Sequence, residues 1–130
     1  MKTVLVLNAD SMPGQAACSA VESRQYNLIK VFRYGDSNPP NYFSIDTTSL
    51  HEVQNLAKNI DSQGVKIDYL ITCPAPETDS IGAVSYNLFE AISESEWKNN
   101  IDQNLYAPVL FCRVFGGRMR ARGVGKIIQL

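Results

Sequence analysis

Near the start of the chain stands Thr3-Val4-Leu5-Val6-Leu7, directly followed by Asn8-Ala9-Asp10-Ser11-Met12-Pro13-Gly14-Gln15. A short, continuous apolar run is typical of a strand that is buried on both faces of a parallel sheet. The small residues that follow, from Gly14 to Arg24, are compatible with a helix lying close on that sheet. Many nucleotide-binding proteins carry a glycine-rich phosphate loop at such a turn, and here Gly14 is its single glycine.

The alternation of strand and helix patterns continues along the chain. Further strands are predicted at 27–34, 42–45, 65–72 and 126–130. A helix with apolar residues from Leu50 to Ile60 precedes the fourth strand; Thr48 or Ser49 would cap it, and Gly64 would stop it. This order predicts a parallel sheet with helices on both faces, in a single domain of residues 1–130.

A long helix is predicted between the fourth and fifth strands. Ser93 and Glu96 have the spacing of a capping box at its start, and Gly116 or Gly123 would end it. Pro108 removes one backbone donor inside the helix, so we expect a kink or a local break there. The predicted apolar stripe consists of Trp97, Ile101, Leu105, Val109, Cys112 and Phe115.

Composition excludes several classes of function. The 130 residues carry a net charge of -1, which gives no broad attraction to nucleic acid or to anionic membranes. The first apolar run is too short for a signal peptide, and no segment approaches the roughly 18 consecutive apolar residues of a membrane span. We therefore expect a cytoplasmic protein that binds neither nucleic acid nor membrane.

Cysteine usage predicts no disulfide framework and no metal site. Cys18, Cys73 and Cys112 are an odd number, lie far apart and include no CxxC pair. His51 is the single histidine and therefore the only imidazole that could act as a ligand. We expect reduced thiols in or near the core.

Four motifs, in this order, resemble the short-chain dehydrogenase/reductase family over essentially the whole chain. They lie at Asp46-Thr47, Thr72-Cys73-Pro74-Ala75, Ser95-Glu96-Trp97 with Asn104-Leu105, and Gly125-Lys126-Ile127-Ile128. In the same order, they resemble four features of that family: the turn that contacts adenine, the Asn-Asn-Ala-Gly turn, the start of the tryptophan-containing helix, and the strand before the catalytic serine. The resemblance implies a Rossmann-like three-layer α/β/α fold with a parallel sheet, incomplete at its C-terminal end. For an enzyme it would imply an NAD(P)-dependent oxidoreductase.

The phosphate loop departs from the family pattern. The motif TGxxxGxG falls on Asn8, Ala9, Pro13 and Gln15, so all three glycines are replaced. Pro13 lacks an N–H, and Gln15 is expected to add bulk where the backbone should approach the pyrophosphate most closely. Asp10 adds a carboxylate that repels phosphate. We expect weak or absent NADP binding, and the resemblance leaves these cofactor-binding candidates: Ser11, Gly14, Arg33, Asp46 and Thr72.

Arg33 lies 24 positions after Ala9, near the end of the second strand. An acidic residue at about this place binds a ribose 2'-hydroxyl, whereas the planar fork of arginine suits a 2'-phosphate. A bound nicotinamide cofactor would accordingly be the phosphorylated form. The alternative is a solvated arginine at a strand end.

The family's chemistry depends on a serine and a Tyr-x-x-x-Lys pair beyond the fifth strand. The sequence ends at Leu130, before these residues could occur. Tyr26 and Lys30 do have this spacing, but they lie at the second strand, so the match is interpreted as coincidence. Asn104 matches the family's relay asparagine and would be catalytic only with the missing segment; otherwise it would bond to backbone near the kink.

Two functions remain open. The first is a non-catalytic scaffold or partner subunit with a degenerate cofactor loop, forming a homo- or hetero-oligomer through the helix 95–122 and the edge strand 126–130. The second is the N-terminal part of an NADP-dependent carbonyl reductase whose Ser/Tyr/Lys segment lies beyond residue 130. The substituted phosphate loop favours the first.

Overall fold

The computed structural model describes residues 1–33, 35–75 and 89–130. The predicted loop residues 76–80, the start of the short apolar piece at 87–92 and Tyr34 at the end of the second predicted strand therefore lie outside the described residues. The regular elements are β1 Thr3–Leu7, α1 Met12–Ser23, β2 Asn27–Phe32, β3 Tyr42–Ser44, α2 Leu50–Ser62, β4 Tyr69–Thr72, α3 Glu94–Ile101, α4 Ala107–Arg122 and β5 Lys126–Gln129. A short 3-10 turn, Phe89–Ala91, precedes α3, and a π turn, Asp102–Tyr106, joins α3 to α4.

One parallel sheet organises the fold, with strand order β3-β2-β1-β4-β5. The central strand β1 pairs with β2 and with β4, so Leu5 lies between Ile29 and Leu70. Each of the four strand pairs is parallel, as the alternating pattern predicts. The carboxyl ends of the strands consequently share one edge of the sheet, where the turns after β1, β3 and β4 meet.

Helices cover both faces of the sheet and form two apolar clusters. The larger cluster joins α2 and α4 to the sheet and contains the fully buried Phe111 and Phe115. The smaller cluster joins α1 to the opposite face and contains Cys18 and Cys73. Cys18 and Cys73 are buried and Cys112 is half-buried, so the three cysteines lie in or near the core, as predicted. The predicted three-layer α/β/α architecture is therefore confirmed.

The fourth strand is shorter than its sequence pattern predicts. It spans Tyr69–Thr72, because the residues before it form the connection from α2 to the strand. Val65 donates its N–H to the Ile60 carbonyl, and Asp68 accepts the Thr3 N–H at 2.9 Å through its side chain. The residues from 65 to 68 thus tie α2 and β1 together before the strand begins.

The long helix breaks before Pro108, as predicted, and the break changes which face is buried. Ala107 donates its N–H to the carbonyl of Asp102, five residues back, which is the π-helical pattern. The wider turn rotates the following helix relative to a regular one. The predicted apolar stripe is wrong: Phe115 is buried, whereas Trp97, Ile101, Leu105 and Val109 are exposed. Trp97 and Ile101 belong to α3, which buries none of its residues, and after the wider turn α4 buries a face that does not include Val109.

The face of α4 that packs on the core consists of other residues. The helix itself ends at one of the two glycines predicted to end it. Leu110, Phe111, Val114 and Met119 pack with Phe115 against the sheet. Gly123 follows the helix in the left-handed conformation, with φ 73°. None of the helices in the described ranges combines the length and the apolar character that a membrane crossing requires.

The Thr47 hydroxyl is expected to lower the free energy of unfolding. The Thr47 side chain is fully buried, and its hydroxyl has no hydrogen-bond partner among the residues that the structure describes. Thr47→Val keeps the shape and removes the unsatisfied group, so we expect a gain of about 1–2 kcal/mol in the free energy of unfolding, measured with urea. Thr48→Val is the matched control, because the Thr48 hydroxyl donates to Asp46 at 2.6 Å and its removal should destabilise the chain. A loss of stability in Thr47→Val would contradict the interpretation that the Thr47 hydroxyl is unpaired.

Candidate functional site

The turn after β1 is held by internal hydrogen bonds. Asn8 adopts the left-handed conformation, with φ 59°, which asparagine tolerates better than most residues. Its side-chain amide donates to the Cys73 carbonyl at 2.8 Å, and its own carbonyl accepts the Ser11 hydroxyl at 2.8 Å. The turn is thereby tied to the end of β4, across the central strand pair.

Gly14 permits the close approach of α1 to β1. It is buried at the third position of the helix, and a Cβ there would overlap the Asn8 carbonyl oxygen and lie 2.9 Å from the Ala9 Cα. This is the helix-packing role that the third glycine of the phosphate motif has. One such glycine is thus retained, and it lies one residue before the position that the motif spacing predicts.

The prediction that Gln15 adds bulk at the point of closest approach is wrong. Gln15 is exposed, and its side-chain amide donates to the Asp10 carbonyl at 2.9 Å. The shorter turn explains the difference, because it brings Gly14 rather than Gln15 against the strand. An alignment that places Gly14 at the third glycine, with one residue fewer in the turn, would have identified Gly14 as the packing residue from the sequence.

The first turn of α1 has few N–H groups left for an anion. Pro13 has none, and Gly14 donates its N–H to the Ser11 hydroxyl at 3.1 Å. Gln15 donates its N–H to the Ser11 carbonyl at 2.8 Å. Ser11 therefore caps the helix itself, at the terminus where other folds place a phosphate.

Arg33 and Asp46 lie at the carboxyl ends of neighbouring strands. The Asp46 carboxylate accepts the Thr48 N–H at 3.0 Å and the Thr48 hydroxyl at 2.6 Å. The Thr48 hydroxyl is the main reason that the pKa of Asp46 lies below its usual value, and the positive charge of Arg33 lowers this pKa further. Arg33 is half-buried, and its carbonyl accepts the Ser44 hydroxyl at 3.1 Å. The structure thus brings these two predicted residues together.

The pKa of Asp46 gives a testable result. A carboxylate with a lowered folded-state pKa stabilises the fold above its unfolded pKa, near 3.8, and this contribution disappears as the pH falls through the folded value. NMR titration of the Asp46 carboxyl should give a midpoint below 3.8. Thr48→Val should raise the midpoint toward the usual value, and Thr48→Ser, which keeps the hydroxyl, should leave it low. An unchanged midpoint in Thr48→Val would contradict the assigned cause.

The turn after β4 is joined to the π turn by Asn104. The Ala75 N–H donates to the Asn104 side-chain oxygen at 2.8 Å, and the Asn104 amide donates to the Asn100 carbonyl at 3.2 Å. Both contacts are to backbone, which is the alternative role expected at the kink. Thr72 is buried at the end of β4, and its carbonyl accepts the Leu130 N–H at 2.9 Å.

Cys73 is packed rather than reactive. Burial, with a smaller contribution from Cys18, raises the pKa of its thiol to about 11. The thiol is therefore protonated at neutral pH and is a poor nucleophile. Within residues 1–33, 35–75 and 89–130, no group of three or more His, Cys, Asp and Glu side chains could hold a metal ion.

The six predicted site residues follow the carboxyl edge of the sheet in two groups. Ser11, Gly14, Thr72 and Asn104 lie at the turns after β1 and β4 and at the facing π turn. Arg33 and Asp46 lie at the ends of β2 and β3. Sequence reasoning missed the Asn8–Cys73 bond, which joins residues 65 positions apart and leaves no local signal.

No protein-family model matches the chain, and no curated protein matches it either. Solved structures do match. A short-chain dehydrogenase from Leptospira borgpetersenii with bound NAD+ superposes with a TM-score of 0.81 at 19% identity, over 98% of this chain and 50% of the other. A short-chain dehydrogenase from Streptomyces avermitilis gives 0.75 at 21% identity, over 98% and 48%. ElxO with NADP bound gives 0.78 at 14% identity, over 98% and 54%.

These likenesses show a common fold, and the chain spans about half the length of the structures it matches. The shared part includes the whole five-stranded parallel sheet and its helices. The fold that the four sequence motifs imply is therefore confirmed. In its described residues this chain has the Rossmann-like architecture of the short-chain dehydrogenases, corresponding to about half of each of those proteins.

Proposed function

We propose that the chain is a non-catalytic scaffold or partner subunit on a short-chain dehydrogenase fold, with weak or absent binding of NADP. The single observation that carries this proposal is the hydrogen bonding of the turn after β1. Pro13 has no N–H, and the Gly14 N–H is already donated to Ser11. The first turn of α1 therefore cannot offer a diphosphate the donors that such a turn normally supplies.

The size of the effect follows from ordinary hydrogen-bond energies. A hydrogen bond to a charged group contributes about 1.5–3 kcal/mol, so the loss of two weakens the binding of a pyrophosphate by at least about 100-fold. Asp10 is exposed directly before Ser11 and adds repulsion toward phosphate. Releasing the Gly14 N–H would leave Ser11 without the bond that caps α1.

An apolar stripe on the outer side of the helices supports the role of a subunit. The side chains of Trp97, Ile101, Leu105, Tyr106 and Val109 are between 41% and 61% exposed along α3, the π turn and the start of α4. Contiguous exposed apolar side chains of this kind mark interaction surfaces. We call these five residues the outer stripe and place the interface of the proposed oligomer on it.

Charge and the edge strand extend this interface. Glu94 and Glu96 lie near the start of the stripe, whereas Arg113 and Arg120 lie beyond its end. Two copies packed antiparallel would bring the acidic half of one helix against the basic half of the other. Ile127 and Ile128 on β5 are 41% and 48% exposed and offer an edge for the same or another partner.

Sedimentation velocity tests the oligomer. The wild-type chain should sediment as a dimer or larger, and Leu105→Glu should give a monomer, because it places a charge in the outer stripe. Gln54→Glu, at an exposed position on α2, is the control and should keep the wild-type state. A wild-type monomer at all accessible concentrations would contradict the proposal, as would an unchanged oligomer in Leu105→Glu.

The second candidate is the N-terminal part of an NADP-dependent carbonyl reductase in the cytoplasm, with Asn104 as its relay residue. Arg33 beside Asp46 supports it, because a guanidinium at this strand end suits a 2'-phosphate. This candidate is also supported by ElxO, a neighbour of the same fold whose structure has NADP bound. Intact mass of the native gene product well above 14.4 kDa and NADPH binding lost in Arg33→Met would favour this candidate.

A further inference from the structure

A pocket lies at the amino ends of β2 and β3, on the opposite edge of the sheet from the turns described above. Its volume is about 330 Å³, and the last turns of α1 form one of its sides. Its lining includes Glu22, Tyr26, Leu28, Lys30 and Tyr42. The two residues of the unexplained Tyr-x-x-x-Lys spacing thus line the same pocket.

Strand geometry explains why these side chains converge. Tyr26, Leu28 and Lys30 alternate along the chain, so their side chains lie on the same face as α1. Lys30 pairs with Tyr42 in the parallel register, which brings Tyr42 beside it on that face. Leu28 is buried in the α1 cluster and closes the floor, and Tyr26 packs against Tyr69 with ring centroids 6.0 Å apart.

The Lys30 ammonium lies near two side chains, Tyr42 and Glu22. It lies 5.1 Å from the centroid of the Tyr42 ring and 3.5 Å from the Glu22 carboxylate. Its side chain is 23% exposed, whereas that of Glu22 is 57% exposed. Burial lowers the pKa of Lys30, but Tyr42, Cys18 and Glu22 together raise it above its usual value, so the charge persists.

We propose that this pocket binds a small aromatic carboxylate. The ligand's carboxylate would replace Glu22 on Lys30, because the present ion pair is long and Glu22 is largely in water. Its ring would lie against the faces of Tyr26 and Tyr42 above Leu28. The volume is that of a small ligand pocket and holds a single ring with its substituents.

Other ligand classes fit less well. A sugar would need the amide side chains at the rim, but the Asn27 amide already donates to the Thr3 hydroxyl at 3.2 Å. A free amino acid would use Glu22 for its ammonium, so it would require both members of the ion pair. The three classes therefore differ in how they respond to the loss of Lys30 and of Glu22.

Benzoate is the probe, with benzamide as its neutral counterpart, and binding is followed by backbone amide shifts of the 130-residue chain. Benzoate should shift the amides of Tyr26, Lys30 and Asn41 saturably, and benzamide should bind at least tenfold more weakly. Lys30→Met should weaken benzoate at least tenfold, and Lys30→Arg should retain most of the affinity. Glu22→Gln should tighten it severalfold, because it removes the competing carboxylate.

Equal binding of benzoate and benzamide, or no saturable shift, would overturn the proposal. Weaker binding in Glu22→Gln would also overturn it, and would indicate a zwitterion or a polyol instead. Glu22 is exposed, so this variant keeps the test available if Lys30→Met fails to fold. Leu105→Glu should leave benzoate binding unchanged, which separates this site from the proposed subunit interface.

Discussion

Gly14→Ala is expected to destabilise the chain by about 3 kcal/mol, measured by urea unfolding. The added Cβ would overlap the Asn8 carbonyl oxygen and lie 2.9 Å from the Ala9 Cα. Both contacts are to backbone, so no side chain can move aside to relieve them. Helix α1 would have to shift away from β1, and the capping bond from Gly14 to Ser11 would weaken with it.

Gly117→Ala is the matched control for this change. Gly117 also lies inside a helix, but a Cβ there would have no neighbouring atom within 4 Å. Alanine should stabilise that helix by about 0.5–1 kcal/mol, because it restricts the unfolded chain and favours helix. Wild-type stability in Gly14→Ala would show that α1 does not approach β1 as closely as the fold requires.

Phe111→Ala is expected to cost about 3–5 kcal/mol, because it leaves a cavity in the larger apolar cluster. Phe111 is fully buried and stacks on Phe115 with ring centroids 5.8 Å apart. Val109, two residues earlier, is 50% exposed, so Val109→Ala should change the free energy of unfolding of the monomer by less than about 0.5 kcal/mol. Both variants should be compared in the Leu105→Glu background, where association does not contribute.

Equal costs for Phe111→Ala and Val109→Ala would contradict the orientation of α4. A large loss in the free energy of unfolding for Val109→Ala alone would indicate that α4 buries the stripe predicted from regular helical spacing. The comparison therefore tests the π turn, which decides the face that α4 buries.

The sheet could be predicted because its signals are local. The apolar run at Thr3–Leu7 is buried at each position, and the alternation of strands and helices specifies parallel pairing. The capping box at Ser93 and Glu96 is formed as predicted, with both of its hydrogen bonds present. Ser49, one of the two predicted caps of α2, accepts the Glu52 N–H.

The phase of the long helix could not be predicted, because it depends on one backbone hydrogen bond. Pro108 indicates a break, but not that Ala107 would bond five residues back rather than four. After the turn, α4 buries Leu110 and Phe111 and leaves Val109 exposed. A spacing rule applied across the break must therefore give the wrong face.

The candidate site was predicted in part. Resemblance placed Arg33 and Asp46 at neighbouring strand ends, where the structure has them in electrostatic contact. Motif spacing alone put the retained glycine one residue too late, because the turn is shorter than the motif. The bond from Asn8 to Cys73 joins distant segments and required the folded structure. Whether any of these residues binds a cofactor stays a prediction.

An NADPH titration followed by backbone amide shifts tests whether the turn after β1 can hold a diphosphate. We expect no saturable shift at Met12, Gly14 or Gln15 up to millimolar NADPH, because the Gly14 N–H remains bonded to Ser11. A saturable shift at these three amides, with the nicotinamide cofactor lying across Ala9 to Gln15, would contradict it.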